Sequence, residues 1–254
     1  MYVSGAGTAA ARGFPDMSVL SLSELVDAVE VAARVSAADV IVDLDTGYGG
    51  APTIRHAMRA LESAGAAAVH IEDQSFPRRC GYLTSEPCVP IEEMQARLHA
   101  AQASETDLVL VARTDALLTE GVEAAIVRAI AYKEAGAELL MINGIRTLDE
   151  LRLIADAIDR SPQLYNVSGS DRSPAPTKQL ARELGVAVMI YPIQAARAAA
   201  LAVENFLGHL AQDPVVATDE LLGFSRYMDL AGWADANAFE EMLAADPESS
   251  GEAP

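Results

Sequence analysis

The chain has 254 residues, of which 51% are hydrophobic and 22% charged, and its formal net charge is −19. That length suits one α/β barrel domain, and that apolar share excludes a disordered body. The acidity sets the chain against phosphate backbones and anionic membrane surfaces, so no nucleic acid and no membrane is expected as a partner, and an anionic substrate needs a local cation or a placed Arg.

Short apolar runs alternate with helical patterns along most of the chain. The runs cover 2–4, 40–43, 68–71, 108–112, 139–142, 164–167 and 186–191. Each reads as a strand buried on both faces, the mark of a parallel sheet. Ser21-Leu22-Ser23-Glu24 is a capping box that opens a helix running to Ser36. Further helices are predicted near 52–64, 91–103, 121–135, 147–159 and 176–184, with Gly65, Gly136 and Gly185 as stops. An Ala-rich helix over 193–210 follows. The organisation predicted is a barrel domain over 1–212, a helical segment over 213–245 and a disordered acidic tail over 246–254. The strand count falls one short of the eight that close such a barrel. It predicts either an open, doubly wound sheet or a (β/α)8 TIM-type barrel lacking its first strand and helix. The barrel would carry exposed edges at its first and last visible strands. The start of the chain has neither a basic nor an apolar leader pattern, and no apolar run spans a bilayer, so a cytoplasmic location is expected. In that compartment Cys80 and Cys88 are expected as free thiols.

Parallel α/β folds bind ligands at the carboxyl ends of their strands. The residues that follow the runs are therefore the candidates. The first run leads into Ser4-Gly5-Ala6-Gly7, small residues that let backbone N–H groups approach an anion. The second leads through Asp43 to Asp45, the third to Glu72 and the fourth to Arg113. Period-two alternation points Asp43 and Asp45 to one side, where Glu72 of the next strand joins them. Three such carboxylates either hold a hard divalent cation or serve as N-caps and ion-pair partners of Arg113. Cys80 sits in Arg78-Arg79-Cys80-Gly81, where neighbouring cations suit a thiol proton donor; the alternative is an ordinary loop cysteine. Cys88 reads as structural. His70, in a strand beside Glu72, reads as a core residue before it reads as a ligand.

The chain resembles the isocitrate lyase/phosphoenolpyruvate mutase superfamily, nearest its 2-methylisocitrate lyase-like branch. The matching stretches run in order from Tyr2-Val3-Ser4-Gly5 and Gly13-Phe14-Pro15-Asp16 to Asp43-Leu44-Asp45-Thr46-Gly47-Tyr48-Gly49. They continue with Ile71-Glu72-Asp73-Gln74, Arg79-Cys80-Gly81, Ala112-Arg113-Thr114-Asp115 and the segment 131–137. The resemblance implies a barrel enzyme with Mg²⁺, or Mn²⁺ in its place, and a small carboxylate substrate. It implies Asp43, Asp45 and Glu72 as the metal shell. Ser4, Gly5, Ala6, Asp43, Arg113, Asn143, Asn166 and Ser168 would contact substrate, and Cys80, Arg113 and Tyr48 would be catalytic. Tyr2 and Tyr48 are both candidates for the general base. A homotetramer is also implied.

The implied reaction is carbon–carbon cleavage of a small 2-hydroxy di- or tricarboxylate into a keto acid and a second acid. Alternatives on the same fold are a phosphonopyruvate or carboxyphosphoenolpyruvate mutase or hydrolase, an oxaloacetate decarboxylase, or an inactive truncated paralogue. The chain departs from the lyase pattern at Arg78, where that branch has Lys, at Tyr82, where it has His, and at Asn143, where it has Glu.

Overall fold

Seven parallel strands form one sheet in strict sequence order. The computed structural model describes residues 1–84, 86–168, 173–213, 215 and 221–245. The strands are β1 (Tyr2–Val3), β2 (Val40–Asp43), β3 (Ala66–Glu72), β4 (Val109–Thr114), β5 (Leu139–Ile142), β6 (Gln163–Asn166) and β7 (Val186–Ile190). Helices α1 (Gly5–Ala11) and α2 (Leu22–Val35) follow β1, and α3 (Ala51–Ser63) and α4 (Ile91–Gln102) follow β2 and β3. The short α5 (Ala116–Thr119) and α6 (Val122–Glu134) follow β4; α7 (Leu148–Ala157) and α8 (Lys178–Glu183) follow β5 and β6. Then come α9 (Gln194–Gln212), α10 (Phe224–Leu230) and α11 (Trp233–Ala245). This is the α/β barrel class. Within the described residues β1 pairs with β2 and β7 with β6, and neither has a second partner.

Every apolar run of the sequence is a strand, and the helix positions agree to within a few residues. Two short helices were not predicted. The Ala-rich stretch after Ser4 forms α1, because Ser4 Oγ accepts from Gly7 N at 3.3 Å and caps it. The turn after β4 forms α5. The capping box at Ser21 is present with both of its bonds, and Thr147 builds a second one with Glu150. The chain divides into a unit of Met1–Ala199 and a unit of Ala200–Pro254. That division lies within α9, ahead of the predicted boundary at 212. The tail expected to be disordered, 246–254, lies outside the described residues. Among the described residues no helix is long and apolar enough to cross a membrane.

Alternation along the strands sorts the first unit into two apolar regions. Val42, Val69, Ile71, Leu110, Ala112, Leu140 and Ile142 face the helices and join the large core with Leu25, Leu61, Leu98 and Leu151. The opposite face carries Val111, Met141, Leu164 and Ile190, with Tyr2 and Ile41 against them. Asp43, His70, Glu72, Arg113 and Asn166 have the parity of this second set, so the barrel's inner face becomes polar towards the carboxyl ends of the strands.

Leu61 on α3 is fully buried, whereas Leu153 on α7 is 53% exposed. Leu61→Ala should cost about 2–5 kcal/mol in urea unfolding. Leu153→Ala should change stability by less than about 0.5 kcal/mol. Equal costs would contradict the placement of the core.

Candidate active site

The register of the sheet brings the site together. Asp43 lies opposite His70 across β2 and β3, and Glu72 lies opposite Arg113 across β3 and β4. Asp45 does not converge by strand alternation, as the sequence suggested. β2 ends at Asp43, and Asp45 sits in the next turn with φ 51°. Its N–H donates to Asp43 Oδ1 at 3.2 Å, and its carbonyl accepts from Glu72 N at 2.9 Å, so the turn folds its carboxylate back beside the other two. Gly47 makes this turn possible, because at φ +93° a Cβ there would meet Ile54 Cγ1 at 2.7 Å.

Two buried guanidinium groups hold the acids. Arg113 reaches Glu72 Oε2 at 2.9 Å and donates to Asp115 through Nε and Nη2 at 3.1 and 2.9 Å. Arg78 ion-pairs with Asp16 at 2.7 Å, with Asp45, and with Glu72 at 3.5 Å. A second layer fixes Asp115. Its N–H donates to Asp73 Oδ1 at 3.0 Å, its carboxylate accepts from Gln74, and Asp73 Oδ2 accepts from Tyr132 at 2.8 Å. Arg128 donates to that tyrosine oxygen at 3.1 Å. The sequence reading gave no role to Asp16, Asp73, Asp115 or Tyr132. All four stand in the matching motifs, Tyr132 within the segment 131–137, and that was the available signal.

The electrostatics are uneven. Burial opposes the charge of Asp43, but His70, Arg78, Arg113 and the N–H of Gly5 outweigh it and hold the carboxyl far below the usual range. Burial and the charge of Asp43 push Asp45 up to about 7, with Arg78 in partial opposition. Burial also raises Glu72 well above its ordinary value against the pull of Arg113 and Arg78. His70 is lowered to about 4, chiefly by burial, so it is neutral at physiological pH. Its Nε2 lies 2.7 Å from the Tyr2 hydroxyl and 3.3 Å from Asp43 Oδ1.

A cavity of about 90 Å³ opens over these groups. Tyr2, Ser4, Ala6, Asp16, Asp43, Arg78 and Arg113 line it, together with Cys80, Gly81, Tyr82, Met141, Asn166, Ser168, Pro192 and Ile193. Gly5 lies just behind, with its N–H on Asp43 Oδ2 at 3.1 Å. So the small residues after β1 serve first to cap α1 and to hold Asp43. Tyr48 faces a neighbouring cavity instead, with Thr46, Phe76 and Arg97. Asn143 stands fully buried behind the wall and accepts from Tyr82 Oη at 2.9 Å and from Asn166 Nδ2 at 3.2 Å. Cys80 and Cys88 are free thiols. The arginines beside Cys80 are not aimed at its sulfur: Arg78 turns to the carboxylates and Arg79 to Glu86 at 3.4 Å.

Among the described residues, no three His, Cys, Asp or Glu side chains are arranged to hold a metal ion between them. The donor set nevertheless fits a hard cation bound mainly through water and substrate oxygens. Asp16, Asp43, Asp45, Glu72 and Asp115 outnumber Arg78 and Arg113. Both oxygens of the buried Glu72 also lack a well-aligned hydrogen bond, since Arg113 and Arg78 meet them as ion pairs only.

An α/β barrel with acids and arginines gathered at its strand ends defines a class of enzyme. A family model described as phosphoenolpyruvate phosphomutase matches residues 1–211, and the chain belongs to that family. The 2-methylisocitrate lyase of Aeropyrum pernix is 35% identical over 237 residues, which are 92% of this chain and 77% of that one. The structure of 2,3-dimethylmalate lyase, a PEP mutase/isocitrate lyase superfamily member, superposes with a TM-score of 0.89 at 28% identity, covering 100% of this chain and 86% of that one. Phosphonopyruvate hydrolase in complex with oxalate and Mg²⁺ does so with a TM-score of 0.84 at 28% identity, covering 94% and 85%. This chain is accordingly an enzyme whose sequence relatives include carbon–carbon lyases.

Asp45 supplies a pH test. Its neutral form contributes stability that is complete below about pH 4 and is lost as pH rises through its folded value of about 7. His70 acts in the opposite sense: its stability is complete above about pH 6.5 and is lost as pH falls through about 4. Asp45→Asn isolates the first effect. In chelator, thermal melts should show the variant gaining on the wild type by about 2 kcal/mol between roughly pH 5 and pH 8. A difference that stays flat with pH would contradict the assignment.

Proposed function

We propose that the chain is a Mg²⁺-dependent lyase that cleaves a small 2-hydroxy carboxylate bearing a second carboxylate on the adjacent carbon. One observation carries this reading: Cys80 lies on the wall of the same cavity as Asp43 and Arg113. The acid end holds the fragment that becomes a keto acid, and a proton donor stands where the other fragment departs.

Ser4, Gly5, Ala6 and Arg113 orient the substrate's first carboxylate and its hydroxyl, while Asn166 and Ser168 border the far end. Asp43, Asp45 and Glu72 would hold Mg²⁺, which would supply positive charge to the oxygens of the keto-acid fragment. Tyr2 faces this cavity and shares a hydrogen bond with His70, so it takes the base role ahead of Tyr48. The hydroxyl proton passes to the Tyr2–His70 pair. The bond between the hydroxyl-bearing carbon and its neighbour breaks, and the electron pair stays on the carbon next to the second carboxylate. The Cys80 thiol protonates that carbon; the thiolate then regains a proton from solvent while the Tyr2–His70 pair returns one to it. The products are a 2-oxo acid and a saturated carboxylic acid. A location in the cytoplasm and a homotetramer belong to the same proposal.

A hydrolase or mutase reading shares the acid end, and the phosphonopyruvate hydrolase neighbour supports it. The thiol separates the two. Cys80→Ser should lower lyase turnover by about 10²–10⁴-fold in a magnesium-supplemented assay of keto-acid release, with folding unchanged. Chelation should remove the activity reversibly. Hydrolysis of phosphonopyruvate that survives Cys80→Ala, without cleavage of any hydroxy acid, would replace the lyase reading.

A further inference from the structure

A thiol that protonates a fragment held by Arg113 must stand at a set distance from that arginine, since a misplacement of about 1 Å costs about 10²-fold in rate. The two residues come from different parts of the fold. Arg113 lies in β4 and is fixed by the sheet register. Cys80 lies in the stretch that follows β3, beyond the sheet, so side chains must hold it.

Gln74 lies between them. It is buried, and both ends of its amide are engaged. Nε2 donates to Asp115 Oδ2, and Oε1 accepts from Arg79 N–H at 3.2 Å. Asp115 Oδ2 is also the oxygen that accepts from Arg113 Nη2 at 2.9 Å, and Arg79 is the residue before Cys80. One amide thus runs from the carboxylate that grips the arginine to the backbone that presents the thiol. Gly81, on the other side of Cys80, packs on the same oxygen: a Cβ there would lie 3.2 Å from Asp115 Oδ2 and 3.1 Å from Leu118 Cδ1. Asp115 therefore meets the stretch on both sides of Cys80.

The backbone of Gln74 is itself held. Its carbonyl accepts from Arg97 Nη1 at 3.1 Å, the residue pairs with Cys88 in an antiparallel bridge, and Val89 N–H donates to Asp73 O at 2.8 Å. With the backbone fixed, the side chain must give one hydrogen bond and take one. An amide does both, whereas a carboxylate or an alkyl chain does not.

We infer that Gln74 is a positioning residue that sets the Cys80 thiol against Arg113. Gln74 does not line the cavity; it acts through Asp115 at one end and Arg79 at the other. Arg78 ties the same stretch to Asp16, Asp45 and Glu72, and Gln74 ties it to the arginine's own partner. The inference rests on the lyase reading for what the thiol does, but not for where the thiol is held.

The test uses the full chain and Gln74→Met, which removes both bonds at nearly constant volume. Gln74→Asn, one methylene shorter, replaces it should the first variant not fold. The first readout needs no turnover. Alkylation of Cys80 by iodoacetamide, followed by mass spectrometry, should quicken about fivefold, the worth of one hydrogen bond, while alkylation of Cys88 serves as the reference and stays unchanged. The second readout is a double-mutant cycle in Mg²⁺ with 2-methylisocitrate and 2,3-dimethylmalate as probes. Gln74→Met should lower kcat about 10- to 10²-fold and change KM by less than about threefold, since Arg113 keeps both bonds to Asp115. In the Cys80→Ser background it should lower kcat by less than about twofold, because no thiol is left to position. Unchanged alkylation of Cys80, or equal quickening at Cys88, overturns the inference, as does an equal loss of kcat in both backgrounds. Selective quickening at Cys80 in a chain that turns over neither acid upholds the inference and removes the lyase reading.

Discussion

The contact between Arg113 and Glu72 governs this molecule. Glu72 is fully buried at the end of β3 and faces Arg113 across the parallel register of β4. Either group left alone in that interior would cost several kcal/mol. Their pairing is geometric before it is energetic, because the sheet register places one beside the other. Arg113 is then gripped from its far side by Asp115, which hangs from Asp73 and so from Tyr132 and Arg128. Removing an outer member of this chain would loosen the inner one, although only Arg113 touches the cavity.

The same arrangement leaves the acids in surplus. Arg78 spans Asp16, Asp45 and Glu72, and the carboxyl groups still differ widely in their hold on a proton. Asp43 is firmly ionised, while Asp45 and Glu72 resist ionisation. A site biased in this way gains from any cation that enters with a substrate. In a chain with a net charge of −19, that local demand lets an acidic protein hold an acidic ligand. Beyond this charged floor, Asn143 Oδ1 accepts from both Tyr82 and Asn166.

Much of the site was legible in the residues at the strand ends. Asp43, Glu72 and Arg113 follow from apolar runs that stop in charge, since parallel strands present their last residues to one mouth. Other parts were not legible for identifiable reasons. Asp45 reaches the site through a left-handed turn that alternation does not anticipate. Arg78 and Arg79 flank Cys80 in the chain, yet their guanidinium groups are captured by carboxylates that burial brings near, and proximity in sequence says nothing of that competition. The stretch after Ser4 read as an anion cradle, but Gly7 N–H goes to the Ser4 cap and Gly5 N–H to Asp43. Tyr48 was expected to be catalytic, with Tyr2 as a further candidate for the base, and the folded chain sets the two on different cavities.

The sequence by itself determined the alternation of strand and helix, the parallel order of the sheet, the mouth at which chemistry gathers and the family. These depend on local propensity, on hydrophobic period and on short motifs, all of which act over a few residues. Only the tertiary structure decided which acid meets which arginine, that His70 is buried and neutral, and that Asn143 accepts from both Tyr82 and Asn166. Those outcomes depend on desolvation and on partners 23 to 68 positions apart, as for Asn166 with Asn143 and Tyr2 with His70. Burial strengthens every such pairing and every failure to pair, and the degree of burial is set by the whole fold.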